Sequence, residues 1–100
     1  VEEAVISRHG VSIRLTDERW THIVEQHGEM ADMRADVLET VREPDRVLAG
    51  KAGELLAVKS ISSGKWLIAV YREFEDDGFI ITAFFTRRTN MLNKREQLWP

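Results

Sequence analysis

Apolar and polar positions alternate most clearly between Glu54 and Arg88, where GELLAVKSI, KWLIAVYREF and FIITAFFTRR form three strand-length segments. Ser62-Ser63-Gly64 and Glu75-Asp76-Asp77-Gly78 separate them. Turn residues of this kind, with Gly able to take positive φ, predict a β-meander. In its first strand Leu56, Val58 and Ser60 oppose Leu55, Ala57, Lys59 and Ile61; in the second Trp66, Ile68, Val70 and Arg72 oppose Leu67, Ala69, Tyr71 and Glu73. In the third, strict alternation sets Phe79, Ile81, Ala83, Phe85 and Arg87 against Ile80, Thr82, Phe84, Thr86 and Arg88. Both faces are apolar at their centre. One should carry helices, and the other should be a shallow pocket or a dimer surface.

Upstream, Val11, Ile13 and Leu15 alternate as a short strand, with room for a hairpin to residues 3–8 across His9-Gly10. Thr16-Asp17-Glu18 supplies a hydroxyl N-cap and first-turn acids for a helix that stops at Gly28. Its stripe is Trp20, Ile23, Val24 and His27, at i, i+3, i+4 and i+7. A second helix starts near Asp32, carries Met33, Val37, Leu38 and Val41 on one face, and ends at Arg42-Glu43 ahead of Pro44. Residues 45–50 give another short strand. The tail 89–100 reads as a short helix or an arm, and Trp99 should dock on its own domain or on a partner. The prediction is a single α+β domain over residues 1–100, with a core at about 11–90 and a C-terminal arm at 91–100. Its two N-terminal helices should pack on an antiparallel β-meander sheet of about four strands.

Charge narrows the functional classes. Fourteen basic against 17 acidic side chains give a net charge of −3, which argues against a general nucleic-acid-coating role and leaves room for a local basic pocket. The charges are unevenly placed: acids crowd residues 2–3, 17–18, 25–45 and 73–77, whereas four bases and one Glu follow from Arg87 onward. The absence of cysteine excludes disulfides, thiolate metal sites and a Cys nucleophile, and is compatible with a cytoplasmic location. The apolar runs are strand-length, so no membrane span is expected, and no signal peptide is visible from Val1 onward.

Two clusters carry candidate chemistry. His22 and His27 are five residues apart, about 140° around a helix, which suits no shared metal site, and there is no His-Glu-x-x-His spacing. No cofactor is implied. The plain structural reading makes His27 a C-terminal helix histidine bonded to nearby carbonyls. His22, off the centre of the stripe, is placed to meet a sheet edge. The second cluster is Thr82, Thr86, Arg87 and Arg88, where a guanidinium beside hydroxyls suits a phosphate or oxyanion clamp; the plain alternative is a solvated strand end paired with acids elsewhere. Lys59 and Tyr71 share a face and could flank a pocket as substrate-binding groups, or simply decorate the sheet. Asp76-Asp77-Gly78 is read as a turn, because nothing downstream completes a calcium loop.

The order LTDERWTHIVEQH, a helix ending at Glu-Pro-Asp, and strands closing on FIITAFFTRR resembles phage-type members of the barnase–EndoU–colicin–RelE-like (BECR) nuclease superfamily over residues 11–90. These are small metal-independent ribonuclease domains found as toxins or in phage and mobile-element proteins. The resemblance implies a site where helix and sheet meet. The family's helix histidine would fall on His22 or His27, and its strand hydroxyl and basic positions on Thr82 and on Arg87 or Arg88. It implies RNA as substrate, attack of a 2′-OH on the adjacent phosphate, and an antitoxin protein as partner. The competing expectation is a non-enzymatic module that forms a homodimer through its exposed sheet face and the Trp99 tail.

Overall fold

The computed structural model describes residues 2–100. In chain order the elements are β1 (Glu2–Ile6), β2 (Ser12–Thr16), α1 (Asp17–Gln26), a 3₁₀ turn (Gly28–Met30) and α2 (Arg34–Arg42). They continue with β3 (Arg46–Ala49), β4 (Leu55–Ser62), β5 (Lys65–Glu73), β6 (Asp77–Thr86), α3 (Thr89–Asn93) and β7 (Gln97–Trp99). Local chemistry sets most of these boundaries. The Thr16 hydroxyl caps α1 by accepting from the Arg19 amide at 3.1 Å. Gly10 and Gly64 take positive φ in the two tight hairpin turns, where a side chain would be strained.

All seven strands form one mixed sheet, ordered β1-β2-β6-β5-β4-β3-β7. The α+β class holds, but the expected antiparallel meander of about four strands under two N-terminal helices does not. The meander β4-β5-β6 lies at the centre, β3 and β7 extend one side, and the β1–β2 hairpin joins the other side in parallel to β6. The helices follow this hairpin and do not precede the sheet. The parallel junction is short, pairing only Ser12, Ile13 and Arg14 with Asp77, Gly78 and Phe79. Gly78 makes it possible. It lies inside β6 and is no turn residue, and a Cβ there would meet the Arg72 carbonyl oxygen at 2.1 Å and Ile13 Cδ1 at 2.8 Å.

A second correction concerns β6. Strict alternation fails at Ile81, where a bulge lets Val70 pair with Thr82 and Tyr71 with Ile80. Phe79, not Ile80, therefore shares a face with Thr82, Phe84 and Thr86. Ile80 joins the core with Ala83.

The two faces are unequally covered. Ile23, Met30, Val37, Leu38 and Val41 pack from the helices against Ile13, Leu15, Ala57, Leu67, Ala69, Tyr71 and Ala83, all buried. The opposite face carries a smaller cluster of Leu48, Leu56, Val58 and Ile68, closed by Leu92 of α3, with Trp66, Val70 and Phe84 half-buried beside it. Trp99 docks on its own domain: it packs against the larger core, and the Arg8 guanidinium lies 4.8 Å from its ring centroid. Among the described residues no helix is long and apolar enough to cross a membrane.

Candidate functional site

Beyond Phe79 the outer edge of β6 has no strand partner among the described residues, because β2 leaves it after Arg14. Helix α1 takes up the vacated lane. His22 lines a cavity with Phe79 and Ile80, and five residues later the His27 ring lies 5.8 Å from that of Phe84. The helix and strand therefore run side by side in the same direction, with one histidine near each end of the groove between them. Ile23, buried on the helix face between the histidines, anchors α1 to the core.

The His22 end is the more open. Its cavity, about 390 Å³, is lined by Glu2, Arg14, Thr16, Glu18, Arg19, His22, Phe79 and Ile80. The His22 side chain is 61% exposed, and its Nδ1 lies 3.5 Å from Glu25 Oε1. Nε2 has no partner among the described residues, so that nitrogen is not engaged by the Glu25 contact. Arg14 Nη2 is 3.5 Å from Asp77 Oδ2, both groups being about half exposed, whereas the Arg19 guanidinium has no ion-pair partner among the described residues. A guanidinium without a carboxylate partner, beside an imidazole, is available to an anionic ligand.

At the other end, His27 caps α1, and its amide donates to the Ile23 carbonyl at 2.8 Å. Its Nδ1 is 3.9 Å from Glu29 Oε2. Phe84, which it touches, also lines a second cavity of about 270 Å³ with Leu56, Thr86, Arg88, Met91, Leu92 and Arg95. Thr82 shares the Phe84 face, but its Oγ1 is buried without a hydrogen-bond partner among the described residues. Thr86 Oγ1 accepts from the Arg88 amide at 3.1 Å, turning the chain out of the sheet. Arg87 and Arg88 are exposed.

The predicted site residues thus separate into groups. His27, Thr82, Thr86 and Arg88 gather around Phe84, while His22 belongs to a different cavity that contains neither Arg87 nor Arg88. Lys59 and Tyr71 join neither group. Lys59 Nζ donates to the Glu43 carbonyl at 2.7 Å, and Tyr71 is fully buried, its hydroxyl without a partner among the described residues. Burial, reinforced by the charge of Glu73, pushes that phenol well above its ordinary value.

Arg14, Arg19, Phe79 and Phe84 were missed as site residues. One signal was available: Arg19 and His22 are three residues apart, hence neighbours on a helix surface. Arg14 could not be placed, because its position depends on the parallel pairing of β2 with β6. Compared with family models, with curated proteins and with solved structures, the chain matches none. The nuclease likeness therefore rests on the residues themselves.

Proposed function

We propose that this domain is a small metal-independent ribonuclease that binds RNA in the groove between α1 and β6 and cleaves it at the His22 end. The observation that carries this reading is the shared cavity of His22, Arg14 and Arg19 at the open edge of β6. An imidazole can take up and give back a proton and so suits proton transfer, and two guanidiniums suit a phosphate whose charge grows in the transition state. In the reaction envisaged, His22 Nε2 removes the proton of a ribose 2′-OH and the 2′-oxygen attacks the adjacent phosphorus. The bond to the 5′-oxygen breaks, with the departing oxygen protonated by water in the open cavity. Arg14 and Arg19 hold the non-bridging oxygens. Phe79 offers an apolar surface beside them for ribose or base.

The resemblance of the α1 and β6 motifs to the nuclease superfamily supports the same chemistry. Of the two surfaces that the dimerising alternative would use, the exposed sheet face and the Trp99 tail, Trp99 is engaged within its own chain.

The test is incubation of the purified protein with single-stranded RNA in excess EDTA, with product ends read by mass spectrometry. Fragments ending in 2′,3′-cyclic phosphate and 5′-hydroxyl are expected. Intact RNA from pH 5 to pH 9 would refute the proposal.

A further inference from the structure

Five basic side chains surround α3, and none has a carboxylate within ion-pairing distance among the described residues: Lys51, Arg87, Arg88, Lys94 and Arg95. Only Arg8, Arg14, Arg34 and Arg42 of the fourteen bases have acidic partners among the described residues; what sets these five apart is that they cluster around one short helix. A cavity of about 530 Å³ lies among Ala49, Gly50, Lys51, Met91, Lys94, Arg95 and Glu96. It shares Met91 and Arg95 with the cavity that holds Phe84, Thr86 and Arg88, so the two lie side by side, with the half-exposed Met91 side chain bordering both. Arg95 is held in place by donating from Nη1 to the Ala49 carbonyl at 3.3 Å, and Arg88 Nη1 lies 3.6 Å from Met91 Sδ. Arg95 and Arg88 are thus positioned by backbone and thioether contacts, and Glu54 acts on Arg95 through its charge without forming an ion pair.

We infer that this surface is a cationic track for the phosphate backbone of single-stranded RNA, running from the His27 end of the groove past Arg88 and Arg95 to Lys94 and Lys51. The inference rests on the reading of the α1–β6 groove as an RNA site, and adds to it a binding surface outside the reacting centre. A row of separated single charges matches a phosphodiester chain, each contact releasing condensed counterions. Continuity with the groove favours RNA over an acidic protein segment.

The test uses the full chain and the double variant Lys51→Gln/Lys94→Gln, both positions being exposed. Binding of a fluorescein-labelled, fully 2′-O-methylated RNA 12-mer, which cannot be cleaved, is followed by anisotropy from 50 to 300 mM salt. Loss of two phosphate contacts should flatten the slope of log affinity against log salt by about 1.4 and weaken binding at 0.1 M by roughly 10–30-fold. Cleavage of a dinucleotide, which spans only the reacting phosphate, should be the same in both proteins. Equal salt slopes for wild type and variant would overturn the track, even if cleavage is observed. Equally tight binding of polyglutamate would overturn the assignment to RNA. Failure of the wild type to cleave any RNA, with the slope difference intact, would remove the nuclease reading and leave the track standing.

Discussion

Single side chains separate structural roles from functional ones. Tyr71 and Lys59 share a face in the alternation pattern, yet burial makes Tyr71 a core residue whose hydroxyl finds no partner among the described residues. Tyr71→Phe removes that uncompensated polar group and keeps the ring. Urea denaturation should show stability unchanged or raised by up to about 1 kcal/mol. A clear loss would mean that the hydroxyl is satisfied after all. Glu54 shows the opposite economy. Its own amide and that of Ala52, the latter at 2.8 Å from Oε1, hold the exposed carboxylate below its ordinary value of 4.5. A depressed carboxylate stabilises the fold above the unfolded-state value, and that contribution is lost as pH falls through the folded-state value. Thermal melts should therefore separate wild type from Glu54→Gln at neutral pH, with the gap closing below about pH 4. A gap that widened in acid would contradict the assignment. No periodicity in the sequence could have revealed either feature. One depends on depth in the core, the other on amide directions in a four-residue turn.

Elements were more legible than their pairings. The capping of α1 by Thr16, the end of α2 before Pro44, and the strands of the meander all follow from local chemistry, and local chemistry is written in consecutive residues. Pairing is not. The sequence places a strand at residues 11–15 but carries no mark that it joins β6 in parallel, and Gly78 reads as a turn residue when its lack of a side chain serves close packing between strands. Gly78→Ala should destabilise by about 3 kcal/mol, because a Cβ 2.1 Å from a backbone oxygen cannot be relieved by a rotamer change. Equilibrium unfolding measures this directly, and a cost under about 0.5 kcal/mol would show that the β2–β6 junction is looser than described. The bulge at Ile81 was equally hidden. A single inserted residue put Phe79 rather than Ile80 on the face of Thr82 and Phe84, while both border the His22 cavity.

At the scale of the molecule, the short β2–β6 junction gives the domain its groove. Because β2 departs after three paired residues, α1 lies beside β6 and brings a histidine to each end of one strand edge. The sequence identified both histidines and the strand but joined them through Arg87 and Arg88. The fold instead sets Arg14 and Arg19 beside His22, and leaves His27 with Phe84 close to the basic surface around α3. This division of labour is the central claim, and it separates the histidines in one experiment. His22→Gln and His27→Gln proteins, confirmed as folded by circular dichroism, are compared with wild type for cleavage of single-stranded RNA in EDTA. Loss of a general base predicts a fall of about 10²–10⁴-fold for His22→Gln. His27→Gln, remote from the reacting phosphate, should lose less than about 10-fold. Equal cleavage by wild type and His22→Gln, or a larger loss for His27→Gln, would contradict the account.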